Sequence, residues 1–128
     1  MAVTNFGRAV RKARQETNDT LMTMSKGLNK SVAFLSAIET GRTKIPLDLV
    51  PKIEKFFSQK GYVFNEDLSV VASVANENIP IDGLSYQHQM MVAGFANSNF
   101  NREDLDKICN LLDEIKKAKE VLNDRKGL

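Results

Sequence analysis

Few side chains in this sequence could carry covalent chemistry. His88 is the only histidine and Cys109 the only cysteine, about twenty residues apart and predicted on different helices. A histidine-assisted nucleophile needs a second member, and zinc needs several Cys, His or acidic ligands at close spacing. Neither pattern is present. Lys26-Gly27-Leu28-Asn29-Lys30-Ser31 has the flavour of a phosphate loop but lacks the leading glycine and the lysine–serine placement that follows it. No catalytic, cofactor-binding or metal-binding residue is therefore expected, and the chain is not read as an enzyme. His88 reads as a surface residue and Cys109 as a small core hydrophobe. The chemistry left to this sequence is non-covalent.

It centres on Asn29 to Gly41. Ser31 is a good N-cap, because its hydroxyl can accept from the orphan amides of a first helical turn. Leu35 and Ile38, with Phe34 at their edge, form an apolar stripe, and Gly41 sits where a helix wants a left-handed residue. On the other side Val32, Ala33, Ser36 and Ala37 are small or short. A two-turn helix with one buried stripe and a trimmed outer face can lie in a groove. This is the candidate DNA-reading helix.

Other elements must hold it. From Asn5 to about Thr17, Phe6, Ala9, Val10 and Ala13 make a helical stripe, with Arg8, Arg11, Lys12 and Arg14 on the remaining faces, the first three of them either solvated or touching phosphate. Asn18-Asp19 is turn chemistry, and Thr20 can cap a second helix over Leu21 to about Leu28. Gly27 inside it costs about 1 kcal/mol relative to alanine. In the Leu28-Asn29-Lys30 link, Asn29 can take a left-handed conformation. Two short helices joined by a turn of about three residues form the helix-turn-helix pattern. The loop Arg42-Thr43-Lys44-Ile45-Pro46 follows. Asp48 is then the expected cap of a fourth helix, with Pro51 in its first turn and Leu49, Ile53, Phe56 and Phe57 on its apolar face.

Phe6-Gly-Arg with Arg11-Lys-Ala-Arg14, and Leu35-Ser-Ala-Ile-Glu-Thr-Gly-Arg42 leading to Pro46, resemble the helix-turn-helix family of temperate-phage repressors and Xre-type regulators over residues 4–58. The resemblance implies an all-α, five-helix-type lambda-repressor-like domain. It also implies a pair between Arg14 of helix one and Glu39 at the end of helix three, and a guanidinium bridging two helices would fix the angle at which helix three is presented. The family's contact positions fall on Val32, Ala33 and Ala37, with Ser36 nearby, and on Leu21 in helix two. Better-known members place glutamines or other long polar residues there. Valine and alanine cannot form a bidentate bond to a base edge, but they can pack on thymine methyls and let the helix sit deep in the major groove. Amides at the starts of helices two and three (Ser31 caps the latter) and in the Thr43–Ile45 loop can grip phosphates. Lys26, Lys30, Arg42 and Lys44 add salt-dependent attraction.

Residues 61–128 resemble no family. Asn65 or Asp67 could cap a helix to about Ala75, with Phe64, Leu68, Val71 and Ala75 on one face, although Val70, Ala72 and Val74 would suit a strand. Asn76 to Gly83 reads as a loop, and Ser85 caps a helix to about Ala96 with Tyr86, Met90 and Ala93 inward. Asn101, with Asp104 three residues on, starts a long helix to about Asn123, followed by a frayed tail from Arg125. In that helix Leu105, Ile108, Leu112, Ile115 and Leu122 step by threes and fours, interrupted at Lys119. The series serves dimerisation or packs on its own domain.

Charge divides the chain the same way. Residues 1–60 hold eleven Lys/Arg against five Asp/Glu, and residues 61–128 seven against eleven. The basic part can attract phosphate, which the acidic part repels. A composition 42% hydrophobic and 27% charged supports a real core. No run approaches the roughly 20 apolar residues of a membrane span, there is no apolar leader, and a single cysteine suits a reducing compartment, so the cytoplasm is expected and no membrane. The expectation is a helix-turn-helix domain over 1–60 and a helical dimerisation or regulatory region over 61–128. Together they would act as a homodimeric repressor on double-stranded DNA. The alternative is an antitoxin or phage-type regulator whose second half captures a partner protein.

Overall fold

Threonine, serine and asparagine punctuate the first half of the chain, and they set its helix boundaries. The computed structural model describes residues 2–126, with side chains through residue 124. Among these residues it is all-helical, with no strand. Helix α1 (Asn5–Thr17) starts where Thr4 Oγ1 accepts from Gly7 N at 3.0 Å, and it ends at Asn18, in the left-handed region with φ 57°. Helix α2 (Leu21–Leu28) opens with a reciprocal box: Thr20 Oγ1 accepts from Thr23 N and Thr23 Oγ1 from Thr20 N, satisfying two orphan amides. Asn29, at φ 55°, turns the chain into α3 (Val32–Glu39), whose cap is Ser31 accepting from Phe34 N at 3.0 Å.

After α3 comes a departure from expectation. Asp48 caps nothing. It lies within a 3₁₀ turn, Leu47–Leu49, that runs directly into α4 (Val50–Ser58) with Pro51 in the first turn. The amide an Asp48 cap would reach, Val50 N, donates to the Leu47 carbonyl in the 3₁₀ turn, and Pro51 has no N–H to offer. Helix α5 (Leu68–Asn76) is capped by Asp67 rather than Asn65, and its buried residues Leu68, Ala72 and Asn76 recur every fourth residue. That period belongs to a helix, and it turns Val70 and Val74 out to solvent, so the strand alternative does not hold.

Phe6, Val10, Met24, Leu35, Ile38, Ile53, Phe57 and Leu68 are fully buried and make one core. Phe57, Tyr62 and Phe64 close its end with edge-to-face rings 5.2–6.2 Å apart. Since α5 packs on α1 and α4, the first compact unit runs through Pro80, past the boundary expected at residue 60. Two glycines permit its closest approaches. A Cβ on Gly7 would lie 2.2 Å from the Glu39 carbonyl oxygen, and one on Gly27 2.4 Å from Cε2 of Phe56.

The second unit begins at Ile81. Helix α6 (Tyr86–Ala96) is capped by Ser85, and α7 (Arg102–Lys126) by reciprocal bonds between Asn101 and Asp104. None of its residues through 124 is buried. Tyr86, Met90 and Ala93 were expected inward but are exposed, because no element covers that face of α6. Cys109 is exposed too, not a core residue, for the same reason on α7. The long helix continues past Asn123 through Lys126, while Gly127 and Leu128, at the end of the expected frayed tail, lie outside the described residues. Among the described residues, no helix is long and apolar enough to cross a membrane.

Candidate nucleic-acid interface

Helices α2 and α3 are two eight-residue helices joined by Asn29, Lys30 and Ser31. The joint is stapled from both sides. Ser25 Oγ donates to the Lys30 carbonyl, and Lys30 N donates to the Ser25 carbonyl at 3.1 Å. On α3, Leu35, Ile38 and Glu39 face the interior. Ala33 is exposed, and Val32, Phe34, Ser36 and Ala37 are half-buried. Apart from Phe34, which packs at the edge of the core, this face carries no side chain longer than a valine's, and Lys26 of α2 and Lys30 of the turn are exposed. The Lys30 ammonium lies 5.7 Å from the Phe34 ring. Leu21 is half-buried and packs on the core, which spends part of its side chain there.

What fixes α3 is its last residue. Glu39 is 1% exposed, and its carboxylate accepts from Arg14 Nη1, from Arg14 Nη2 at 3.2 Å and from Arg11 Nε at 3.2 Å. Two guanidiniums from successive turns of α1 thus share one buried carboxylate, which compensates its removal from water. Arg11, read from sequence as solvated or phosphate-facing, is committed to this contact. The Glu39 carbonyl also accepts from Thr4 N at 3.1 Å and Thr4 Oγ1 at 3.2 Å, an approach that Gly7 makes possible.

The following loop is held just as firmly, and this alters its expected role. Gly41 takes φ +78°, and Arg42 N donates to the Ala37 carbonyl at 3.0 Å, closing α3 with a Schellman turn. Thr43 N reaches the same carbonyl at 3.4 Å. Ile45 N donates to Asn76 Oδ1 at 2.7 Å, and Asn76 Nδ2 donates to the Ile45 carbonyl at 2.9 Å. The amides of Thr43 and Ile45, expected to grip phosphate, are thus used inside the fold. The Lys44 ammonium, also expected on phosphate, donates to the Asn76 carbonyl at the C-terminus of α5, where the helix dipole favours a cation. Of the loop, Arg42, Thr43 and Lys44 stay exposed, with Arg42 Nε 3.2 Å from Thr40 Oγ1.

A second ion pair sets the other end of α2. Asp19 Oδ1 accepts from Lys60 at 2.5 Å and from Thr23 Oγ1 at 2.8 Å, and Oδ2 from Thr17 Oγ1 at 2.6 Å. Burial raises the Asp19 carboxyl, but the bonds from Lys60, Thr17 and Thr23 outweigh it and hold the group below its ordinary value.

Sequence reasoning missed Asn76, Arg11 and Thr4 as members of this framework. Asn76 left a trace, since it continues the four-residue stripe of Leu68 and Ala72 as a polar residue at a core position. His88 lies exposed on α6 and Cys109 exposed on α7. On α3 the structure brings together the short side chains Val32, Ala33, Ser36 and Ala37, with Lys30 exposed in the turn before it and Arg42 exposed in the loop after it, an arrangement that can touch an anionic polymer through charge and shape. No family model, no curated protein and no solved structure matches this chain.

Proposed function

We propose that this protein is a DNA-binding transcriptional regulator of the lambda-repressor-like, Xre-type helix-turn-helix class, acting as a homodimeric repressor on a pseudo-palindromic operator. The carrying observation is the short side chains Val32, Ala33, Ser36 and Ala37 on α3, a helix locked at its far end by Glu39, with Lys26 and Lys30 exposed on α2 and the turn before it. Van der Waals packing by Val32 and Ala33 suits thymine methyls, and the side chains of Lys26, Lys30 and Arg42 suit phosphates. Lys44 and the Thr43 and Ile45 amides contribute to loop rigidity instead. Sequence selectivity on such a face leans on groove shape and on the fit of α3, because no long polar side chain reaches a base edge.

The test is a gel shift of the full chain on DNA upstream of its own gene, at rising salt, with Ala33→Glu beside it. Ala33 is exposed, so the substitution leaves the fold intact, as circular dichroism would show, while placing a carboxylate against the duplex. The expected result is a salt-sensitive shift that Ala33→Glu abolishes. Absence of any shift at neighbouring palindromes, or equal binding by Ala33→Glu, would overturn the proposal.

A further inference from the structure

The second unit carries an exposed apolar row. Leu105, Leu112, Ile115 and Leu122 are each 44–52% exposed along one face of α7, Ile108 between them is half-buried, and among the described residues α6, the other helix of this unit, does not pack on α7. Most helices in proteins owe their stability to packing an apolar face rather than to propensity, and this one has no such packing from its own unit. From these observations we infer that α7 pairs antiparallel with α7 of a second copy, with Leu112 opposite Ile115 on either side of a two-fold axis. This deepens the homodimer reading above and rests on it.

Lys119 decides the orientation. It occupies the seam position between Ile115 and Leu122, so a parallel pair would stack Lys119 directly on its own copy. In the antiparallel register Leu105 meets Leu122, Ile108 meets Lys119 and Leu112 meets Ile115. Each seam residue finds one partner, and none is left to recruit a third chain, so the contact closes. Lys119 then lies beside Ile108 with the carboxylate of the partner's Asp104 one turn away. The flanking charges agree. Residues 102–113 carry four carboxylates against two cations and residues 114–126 five cations against three carboxylates, so the two copies are complementary head to tail and less so in parallel. Opposed helix dipoles add to the preference. A foreign partner would have no reason to match this internal symmetry of charge and spacing. At 1.5 Å per residue the two Arg102 ends stand about 35 Å apart along the axis.

The test uses the full chain with Cys109→Ser, without DNA, under mild oxidation. Ile108→Cys and Lys119→Cys together should give a covalent dimer, and neither alone should, because identical positions lie about 16 Å apart, beyond disulfide reach. A spin label on Arg102→Cys, outside the seam, should report a separation of about 35 Å. Light scattering should give a dimer for the unlabelled parent. A covalent dimer from Lys119→Cys alone, a label separation under about 20 Å, a monomer, or a mass explained only by a different protein bound to α7 would each overturn the inference. Cross-linking as expected by a chain that shifts no operator would leave it standing and overturn the DNA reading, and the converse result separates them the other way.

Discussion

Asn76 matches both backbone groups of Ile45, accepting from its N–H at 2.7 Å and donating to its carbonyl at 2.9 Å. One side chain from α5 thereby replaces the partners that a strand neighbour would have given the loop after α3. Asn76→Ala leaves a buried donor and a buried acceptor without partners, a cost of about 2–4 kcal/mol. Asp is no rescue, since its second oxygen would face the Ile45 carbonyl. Urea unfolding should show the midpoint falling with an unchanged slope, and a loss under about 0.5 kcal/mol would contradict the clamp.

Glu39 and its two arginines should respond unequally. Glu39→Gln weakens both contacts and strands Arg14, which is only 11% exposed, so a loss of about 3 kcal/mol is expected. Arg11 is 46% exposed, and Arg11→Ala should cost at most about 1 kcal/mol. Equal losses for the two variants would mean that the carboxylate is not what joins α1 to α3.

Acid should release the corner at Asp19. Its folded pKa lies below the ordinary 3.8, so the stabilisation is fully present above that value and fades as pH falls through it toward the folded one. Unfolding midpoints taken from about pH 6 down to about pH 2 should fall more steeply for the parent than for Asp19→Asn. Lys60→Ala should flatten the curve in the same direction. Parallel curves for all three proteins would remove the pair from the acid response.

Gly7→Ala and Gly27→Ala test two kinds of close approach. Alanine raises helix propensity by about 1 kcal/mol in both. At Gly7 the new methyl meets the backbone carbonyl of Glu39, which cannot step aside without moving α3. At Gly27 it meets the rim of the half-buried Phe56 ring, which a smaller residue would vacate. Both should destabilise by overpacking, by about 1–3 kcal/mol, with Gly7→Ala the worse. Phe56→Leu should restore stability only to Gly27→Ala.

For the proposed DNA contact, Lys30→Ala should weaken binding to specific and random duplexes alike and lower the salt slope by about 1. Its folded stability should hold, since Lys30 is exposed and its side chain touches only the Phe34 ring. A change confined to one sequence would assign it to base reading instead.

Helices α2 and α3 were legible because each carries local signals at its ends. Thr20, Ser31, Asn29 and Gly41 are cap and turn residues whose chemistry works within three or four positions, and the structure uses all four as such. Asp48 carried the same kind of signal and misled, because a 3₁₀ turn had already taken up the amide it could have capped. Long-range choices left fainter marks. Arg11 and Arg14 look alike in sequence, and only the fold shows that both reach Glu39. Lys44 resembled a free cation until α5 brought its C-terminal carbonyl alongside. In α6 the apolar residues predicted a buried face, but periodicity cannot say whether the covering surface belongs to the same chain.

A segment that buries nothing on its own makes the whole chain sensitive to dose. The first unit is held by its own core at any dilution, whereas under the proposed pairing the order of α7 follows mass action with a second copy. Scarce chains would therefore present that helix to proteases first, trimming the tail while α1–α5 survive, and abundance would protect itself.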